Sequence, residues 1–321
     1  MYAPNLSRFL RTQVIPTVKF RQLCDVKEQD AQGNSLIGKN RGDSWNWNVY
    51  SKLKTKGGRL SETQKMPKSG FKITQTSGTI DEYGNGVDWT GKLDNLSEQP
   101  LQEIIQKVLR IDVAETMDVA AHAQFNRTPL RVAPASGTST TSITLTTDGT
   151  CSTTNNVAFG SGHVRTVVAT MKERNIPPYD GDDYLAIARP QAYLTLKADL
   201  EGINKYTDSG LVMIRNGEIG RYENMRFIEQ THIPAGGAQD STTWDPQTET
   251  ADPWNNGKSD WMFFLGADTV AEGMCIPEEL RGAIPTDFGR DHGVAWYALL
   301  GFGLSHPDAL NARIVKWDSA A

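Results

Sequence analysis

The fold is decided by residues 71–125, which begin FKITQTSGTIDEYGNGVDWTGKL (71–93) and continue, after Asp94–Leu96, as SEQPLQEIIQKVLRIDVAETMDVAAHAQF (97–125). The first part sets Ile, Tyr, Val and Trp among Thr, Ser and Gly, a pattern that predicts extended chain. The second part predicts a long helix, because Ser97 offers an N-cap and Pro100 stands in the first turn. At 1.5 Å per residue this helix would run roughly 40 Å, so we expect it to be the spine on which the rest of the chain packs.

The predicted helix has an apolar side and a charged side, as expected for a helix that covers a protein core. Its apolar residues are Leu101, Ile104, Ile105, Val108, Ile111, Met117, Ala120, Ala121 and Phe125. Its charged residues are Glu103, Lys107, Arg110, Glu115 and Asp118. We therefore expect the charged set to lie in water and the apolar set to lie in the core.

Composition is that of a folded protein with room for two domains in its 321 residues, of which 38% are hydrophobic. No apolar run approaches the roughly 20 residues of a membrane span, and the N-terminus lacks the apolar core and cleavage site of a signal peptide. Cys24, Cys151 and Cys275 lie far apart and fit neither a disulfide framework nor a zinc site. These features predict a reducing, cytoplasmic setting and no contact with a membrane.

Charge is distributed unevenly along the chain. The net charge is −5, but residues 39–72 hold nine basic and two acidic residues, so this segment carries +7 and the remainder −12. We call residues 39–72 the basic ribbon. A basic segment on an acidic body is expected to dock on an acidic surface.

The basic ribbon is predicted to be a two-stranded excursion whose return strand begins near Phe71. Trp45, Trp47 and Val49 alternate in the manner of a strand. The two tryptophans could stack nucleic-acid bases, or they could form one buried face of the strand. A two-stranded ribbon alone in water is marginally stable, so we expect it to need a partner.

The remaining segments predict an extended N-terminal arm (1–38), a compact α/β subdomain (136–235) and a surface loop (235–259). Within the subdomain we expect a helix that begins near Ser161 and a short buried strand at Tyr184–Ala188. After the loop we expect strands at 261–265, 293–304 and 312–317, with one helical turn at Asp268–Glu272. The last two strands are predicted to cover the spine helix.

No catalytic motif is present, since the sequence has no G-x-S-x-G, no G-x-x-x-x-G-K-[ST] and no H-E-x-x-H. We therefore expect no enzyme activity, no metal and no cofactor. Asp180-Gly-Asp-Asp183 could hold a cation, but it lacks the ligand spacing of a calcium loop and favours a solvated turn. Gly84-Asn-Gly86 and Gly301-Phe-Gly303 lack the third glycine of a dinucleotide site. The histidines are scattered, as surface or core histidines are: His122, His163, His232, His292 and His306.

The order of arm, extended loop, long helix, α/β subdomain and returning strands resembles that of major capsid proteins of tailed bacteriophages, which have the HK97-like fold. Residues 77–118, SGTIDEYGNGVDWTGKLDNLSEQPLQEIIQKVLRIDVAETMD, are similar to the strand-to-spine segment of the major capsid family of some short-tailed phages. Residues 220–234, GRYENMRFIEQTHIP, are similar to that family's strand in the axial domain.

The resemblance implies an α+β, HK97-like capsid fold. Its parts would be an N-terminal arm (1–38), an extended β-hairpin or E-loop with the strand that leads to the spine (39–96), a peripheral domain (97–135 plus 260–321) and an axial domain (136–259). The chain would form hexamers and pentamers of an icosahedral head in the virion, assembled in the host cytoplasm. Implied partners are further copies of the chain, the portal, scaffold or cement proteins, and weakly bound double-stranded DNA. Some members of the fold join their loops through Lys–Asn isopeptide bonds, but no residue trio here identifies that reaction.

We expect the basic ribbon of one subunit to lie over the spine-containing domain of its neighbour. The predicted contact residues are Lys52, Lys54, Lys56, Arg59, Lys65 and Lys68 on the ribbon, and Glu103, Glu115 and Asp118 on the helix. Two other classes of protein remain open at this point. One is a nucleic-acid-binding protein that uses the basic ribbon, and the other is an enzyme whose site in the α/β subdomain has no familiar motif.

Overall fold

The chain folds into an α+β structure around one long helix. The computed structural model describes residues 19–39, 41–50, 53, 57–62, 65–66, 68–92, 101–150, 157–204, 220–231, 259–284 and 290–320. The helices that lie wholly within these residues are α1 (Leu101–Asn126), α2 (Ser161–Glu173) and α3 (Leu194–Asn204). The strands are β1 (Cys24–Lys27), β2 (Ser44–Tyr50), β3 (Ile73–Thr79), β4 (Asp81–Thr90), β5 (Leu130–Pro134), β6 (Ile143–Thr146), β7 (Tyr184–Ala188), β8 (Arg221–Tyr222), β9 (Met225–Glu229), β10 (Ser259–Leu265), β11 (Val270–Gly282), β12 (Asp291–Leu304) and β13 (Ile314–Ala320).

Helix α1 is the spine that the sequence predicts, and it runs without interruption for 26 residues. The predicted cap, Ser97, lies outside the described residues. One stripe of the helix is buried at a spacing of four residues: Ile105, Leu109, Val113, Met117, Ala121 and Phe125. Asp112 links α1 to β12 and β4, because its Oδ2 accepts hydrogen bonds from Trp296 Nε1 (2.7 Å) and Asn85 Nδ2 (3.0 Å).

A four-stranded sheet packs against α1, with strand order β1-β11-β12-β4. β11, β12 and β4 are antiparallel, while β1 adds to the edge of β11 in parallel. Trp296, Leu300 and Phe302 of β12 lie in the same buried cluster as the α1 stripe. The closing strand at 293–304 thus covers the spine, as predicted.

The helical turn predicted at Asp268–Glu272 is wrong. Val270 begins the 13-residue strand β11, which pairs with β12 from Val270↔Leu304 onward. This pairing with a distant strand overrides the local preference of a short segment. β11 also carries two breaks in register, after Met274 and after Ile276, which bend it along the body.

A seven-stranded mixed sheet forms the second layer, with strand order β6-β5-β13-β10-β7-β9-β8. α2 and α3 cover one face, where Val164, Val167, Met171 and Leu196 are buried. The helix predicted to begin near Ser161 and the strand predicted at Tyr184–Ala188 are confirmed.

Strand β10 is the place where the two hydrophobic cores meet. Trp261, Phe263 and Leu265 belong to the cluster of α1, whereas Met262 and Phe264 belong to the cluster of α2 and α3. Both faces of the strand are therefore buried, which explains why this stretch is continuously apolar. The boundary predicted at 259/260 separates β10 and β13 from β7, whereas the structure joins the three strands in one sheet.

The N-terminal segment from Lys19 onward is bound firmly to its own chain. Asp118 Oδ1 accepts hydrogen bonds from three successive backbone amides, those of Lys19 (3.0 Å), Phe20 (2.7 Å) and Arg21 (3.1 Å). The ring of Phe20 is 1% exposed and packs on His122 of α1. We call residues 19–21 with Asp118 the arm anchor. Within the N-terminal arm predicted for 1–38, residues 19–21 are therefore bound to the spine helix of their own chain.

Removing the acceptor of the arm anchor should loosen it. We expect Asp118→Ala to lower the free energy of unfolding of the dissociated subunit by about 1–3 kcal/mol, because one buried and two partly buried amides lose their partner. Asp118→Asn, which keeps Oδ1 as an acceptor, should cost less. Urea unfolding and amide hydrogen exchange at residues 19–21 measure both effects. Equal stability of the alanine variant and the unchanged protein would contradict the role given to Asp118.

Close packing at Gly301 should make it intolerant of a side chain. A Cβ atom there would overlap the backbone oxygen of Thr79, at the junction of β3 and β4. We expect Gly301→Ala to lower the free energy of unfolding by about 1–3 kcal/mol, since the backbone must move to admit the methyl group. Gly57→Ala is the control, because no atom of the described residues lies within 4 Å of its Cβ position. The prediction fails if the two variants unfold at the same urea concentration.

Candidate assembly surfaces

The β2–β3 pair is the first candidate surface. The two strands are antiparallel from Ser44↔Thr79 to Tyr50↔Ile73, and among the described strands they form a sheet only with each other. This confirms the two-stranded excursion predicted for the basic ribbon. Most residues of the two strands are exposed or half-buried.

The base of the β2–β3 pair is fixed to the body by its two tryptophans. Trp45 is 1% exposed and lies against Gly78 and Gly273, where no Cβ would fit. Trp47 packs on Trp45 with ring centroids 4.6 Å apart and donates a hydrogen bond from Nε1 to the Ser305 backbone oxygen (3.0 Å). The buried strand face is thus confirmed, and Trp45 cannot stack a nucleic-acid base.

Of the six predicted contact residues on the basic ribbon, Arg59, Lys65 and Lys68 are exposed. Lys52, Lys54 and Lys56 lie outside the described residues. This region has a second feature that its sequence pattern did not indicate, namely large apolar side chains that are exposed. These are Tyr50, Leu53, Leu60, Met66, Phe71 and Ile73, with exposed fractions between 42% and 77%.

The outer face of α1 is the second candidate surface. Ile104, Val108 and Ile111 are 41–59% exposed, although the sequence analysis assigned them to the core. They lie on the side of the helix away from Leu109 and Val113, so a finer helical projection would have found them. Of the three predicted acidic contacts on α1, Glu103 and Glu115 are exposed and flank this stripe.

Asp118, the third predicted acidic contact, lies on the same face of α1 but is buried. It is 1% exposed, since residues 19–21 cover it and bind its carboxylate. The expectation that Asp118 lies on a solvated strip is therefore wrong. Its spacing from Glu115 fits the exposed face, but a segment about 98 residues earlier in the chain occupies that part of the face.

Arg21 joins the arm anchor to β11 by ion pairs that no sequence motif indicated. Its Nη2 lies 2.6 Å from Glu272 Oε1, its Nε donates to the same carboxylate (3.1 Å), and Nη1 pairs with Glu278. Both glutamates are almost fully buried. Burial lowers the pKa of Arg21, but the charges of Glu272 and Glu278 outweigh it and raise the pKa above its usual value.

A second polar cluster holds β1 beside the arm anchor. His306 Nε2 lies 3.1 Å and Arg313 Nη1 3.4 Å from Asp268 Oδ2. The hydrogen bond with His306 lowers the pKa of Asp268, while burial and a hydrogen bond with Asp268 raise the pKa of Asp25. Asp25, whose pKa is raised, stabilises the fold at low pH, and Asp268, whose pKa is lowered, stabilises it at high pH. The two contributions to the pH dependence of stability therefore oppose each other.

The other candidate sites of the sequence have structural roles. Asp183 binds Arg226 (2.8 Å) and Arg221 (2.7 Å), and Asp180 also binds Arg226 (2.8 Å). His163 caps α2, because the Gly160 amide donates to its Nδ1 (3.1 Å). The described residues contain no group of His, Cys, Asp and Glu side chains that could hold a metal ion.

No helix among the described residues is long and apolar enough to cross a membrane. Cys24 and Cys275 are free thiols. Burial raises the pKa of both, which makes the reactive thiolate form less accessible.

Known structures share this architecture. The capsid of cyanophage P-SCSP1u matches with a TM-score of 0.64 at 13% identity, over 94% of this chain and 88% of that chain. The acid-stable capsid of Helicobacter pylori bacteriophage KHP30 matches with a TM-score of 0.63 at 15% identity, over 87% and 85%. The mature capsid of bacteriophage PhiM1 matches with a TM-score of 0.60 at 13% identity, over 94% and 86%. These matches confirm the predicted HK97-like fold.

Sequence comparison gives the family. No curated protein matches the chain, but the family model described as phage capsid protein matches residues 73–314. This range runs from the start of β3, through α1 and both sheets, to the first residue of β13. The chain therefore belongs to the phage capsid protein family, and it is a structural protein of a bacteriophage virion shell.

Proposed function

We propose that the chain is the repeating subunit of an icosahedral head, in which it forms hexamers and pentamers around a double-stranded DNA genome. The observation that carries this proposal is the β2–β3 pair, which ends in a segment whose apolar side chains are left exposed by the subunit itself. Exposed apolar clusters of this kind mark protein interfaces. The proposed role is structural, without catalysis.

The basic ribbon is proposed to dock on the α1-containing region of a neighbouring subunit. Magnitudes indicate which contacts hold it there. An ion pair at the rim contributes about 0–1 kcal/mol, whereas burying a side chain such as Phe71 or Ile73 contributes about 1.5–3 kcal/mol. The apolar side chains would therefore supply most of the binding, and Arg59, Lys65 and Lys68 would steer the approach.

The domain division of the sequence analysis is proposed with one change. Residues 1–38, 39–96 and 97–135 keep their assignments as arm, E-loop and spine. β10 and β13 are proposed to belong with the axial region, because they share a sheet with β7. Assembly in the host cytoplasm, a portal and scaffold or cement proteins are further expectations of this proposal.

Changing the basic ribbon should block assembly and leave the subunit folded. We expect Phe71→Ser with Ile73→Ser to abolish shells, and Arg59→Glu with Lys65→Glu and Lys68→Glu to slow assembly and make it salt-dependent. The subunit should stay folded because these side chains are exposed and are not part of its core. Sedimentation and electron microscopy measure shells, and circular dichroism measures the fold.

Matched controls keep the character of each site. Phe71→Leu with Ile73→Val retains apolar surface, and Arg59→Lys with Lys65→Arg and Lys68→Arg retains charge, so both controls should assemble. Normal shells from the variant with Phe71→Ser and Ile73→Ser would contradict the docking proposal. Loss of the subunit's helical signal would instead show that the ribbon belongs to the core.

The proposal also predicts weak DNA binding. The chain outside the basic ribbon carries −12, so assembled shells should hold DNA without sequence preference and release it as salt rises through the physiological range. Filter binding with two unrelated duplexes measures this. Nanomolar, sequence-selective binding would favour the nucleic-acid-binding function instead.

A further inference from the structure

One face of α1 is covered along its C-terminal half and open along its N-terminal half. At helical spacing this face contains Ile104, Val108, Ile111 and Glu115, followed by Asp118 and His122. Asp118 and His122 are each 1% exposed, whereas the three apolar residues are 41–59% exposed. We call Ile104, Val108 and Ile111 the open stripe.

The covering segment is the arm anchor, and it is also where the described chain begins. Phe20 lies on the rings of His122 (5.0 Å between centroids) and Phe125 (5.5 Å). Lys19, one residue earlier in the chain, lines a cavity of about 230 Å³ that is also lined by residues of α1 closer to its N-terminus. These residues are Ile111, Ala114 and Glu115, which lie one to two turns before Asp118. Moving backward along the chain therefore means moving along α1 toward the open stripe.

We propose that residues 14–18 of the same chain continue along this face and cover the open stripe. From Glu115 to Ile104 the helix rises about 16 Å, which an extended chain spans with about five residues. The five residues before Lys19 are Val14, Ile15, Pro16, Thr17 and Val18, of which four are apolar. Pro16 restricts Ile15 to extended conformations, as this path requires.

Charge favours this occupant over the other segment that starts at the cavity. Thr231 also lines the cavity, and the chain that follows it, 232–258, holds Asp240, Asp245, Glu249 and Asp252 against Lys258. Such a segment would be repelled by Glu115. Residues 14–18 hold no charged residue and residues 1–18 hold no acidic residue, so Glu115 does not repel the arm.

The inference is independent of the proposed function, because it concerns a contact within one subunit. The inference does reduce the part of α1 that is available to the basic ribbon of a neighbouring subunit. If residues 14–18 lie beside Glu115, then Glu103 is the acidic side chain of α1 that remains for a neighbour. Residues 14–18 would then extend the hydrophobic core around α1 to include the open stripe.

Photo-crosslinking tests the contact directly. With p-benzoylphenylalanine in place of Val108 in the full-length chain, we expect a crosslink to the peptide that contains residues 12–18, at the mass of a monomer. The same group in place of Leu194, an apolar residue of α3 that is 60% exposed, is the control and should give no arm product. Dissociated subunits and assembled shells are both irradiated, and the products are read by mass spectrometry.

Each other product would overturn the proposal. A crosslink at dimer mass to residues 12–18 would mean that the arm of a neighbour covers the stripe. A crosslink to residues 51–72 would assign the stripe to the basic ribbon, and a crosslink to 232–258 would assign it to the segment after Thr231. Failure of shells to form would count against the proposed function and leave this test on subunits unaffected.

Hydrogen exchange supplies a measurement without a bulky probe. We expect Val14→Ser with Ile15→Ser to raise amide exchange at residues 104–111 about tenfold or more, the effect of uncovering a buried aliphatic side chain. Phe9→Ser with Leu10→Ser changes equally apolar residues beyond the five that reach Ile104, and exchange should stay unchanged. Equal exchange in both double variants overturns the proposal.

Discussion

The packing of α1 between two sheets is the contact on which the rest of the structure depends. Phe263 of the seven-stranded sheet and Trp296 of the four-stranded sheet belong to one buried cluster with Met117 of the helix. A helix that contacts two layers needs apolar residues on more than one side, and α1 has them. Its own subunit covers only part of that surface among the described residues, since Ile104 and Val108 remain exposed.

Buried charge, rather than apolar area alone, fixes where the N-terminal segment joins this core. The Asp118 carboxylate is compensated by three amides, and Arg21 stands between Glu272 and Glu278. Desolvating such groups is costly, and leaving one of them without its partner costs several kcal/mol. All of these charges can therefore be paired only when the N-terminal segment lies in one position. The charges fix that position more than they add stability.

Much of this architecture follows from local sequence pattern, because periodicity reports which face of an element is buried. It predicted α1, α2, β7 and the excursion around Trp45. Periodicity gave wrong predictions where contact with a distant part of the chain determines the structure. β11 is a strand because it pairs with β12, and Asp118 is buried because residues 19–21 cover it. No pattern marks Lys316 either, which is fully buried over the ring of Trp261 (3.0 Å to the centroid).

The same distinction separates what a subunit fixes by itself from what it leaves to its neighbours. The base of the β2–β3 pair is held by Trp45 against Gly78 and Gly273, so this base is fixed within the subunit itself. Binding then costs less conformational entropy than it would for a free loop. The ribbon combines this fixed base with exposed apolar side chains such as Phe71. A shell built from many weak, identical contacts benefits from such preorganisation, because the saving is repeated in every subunit.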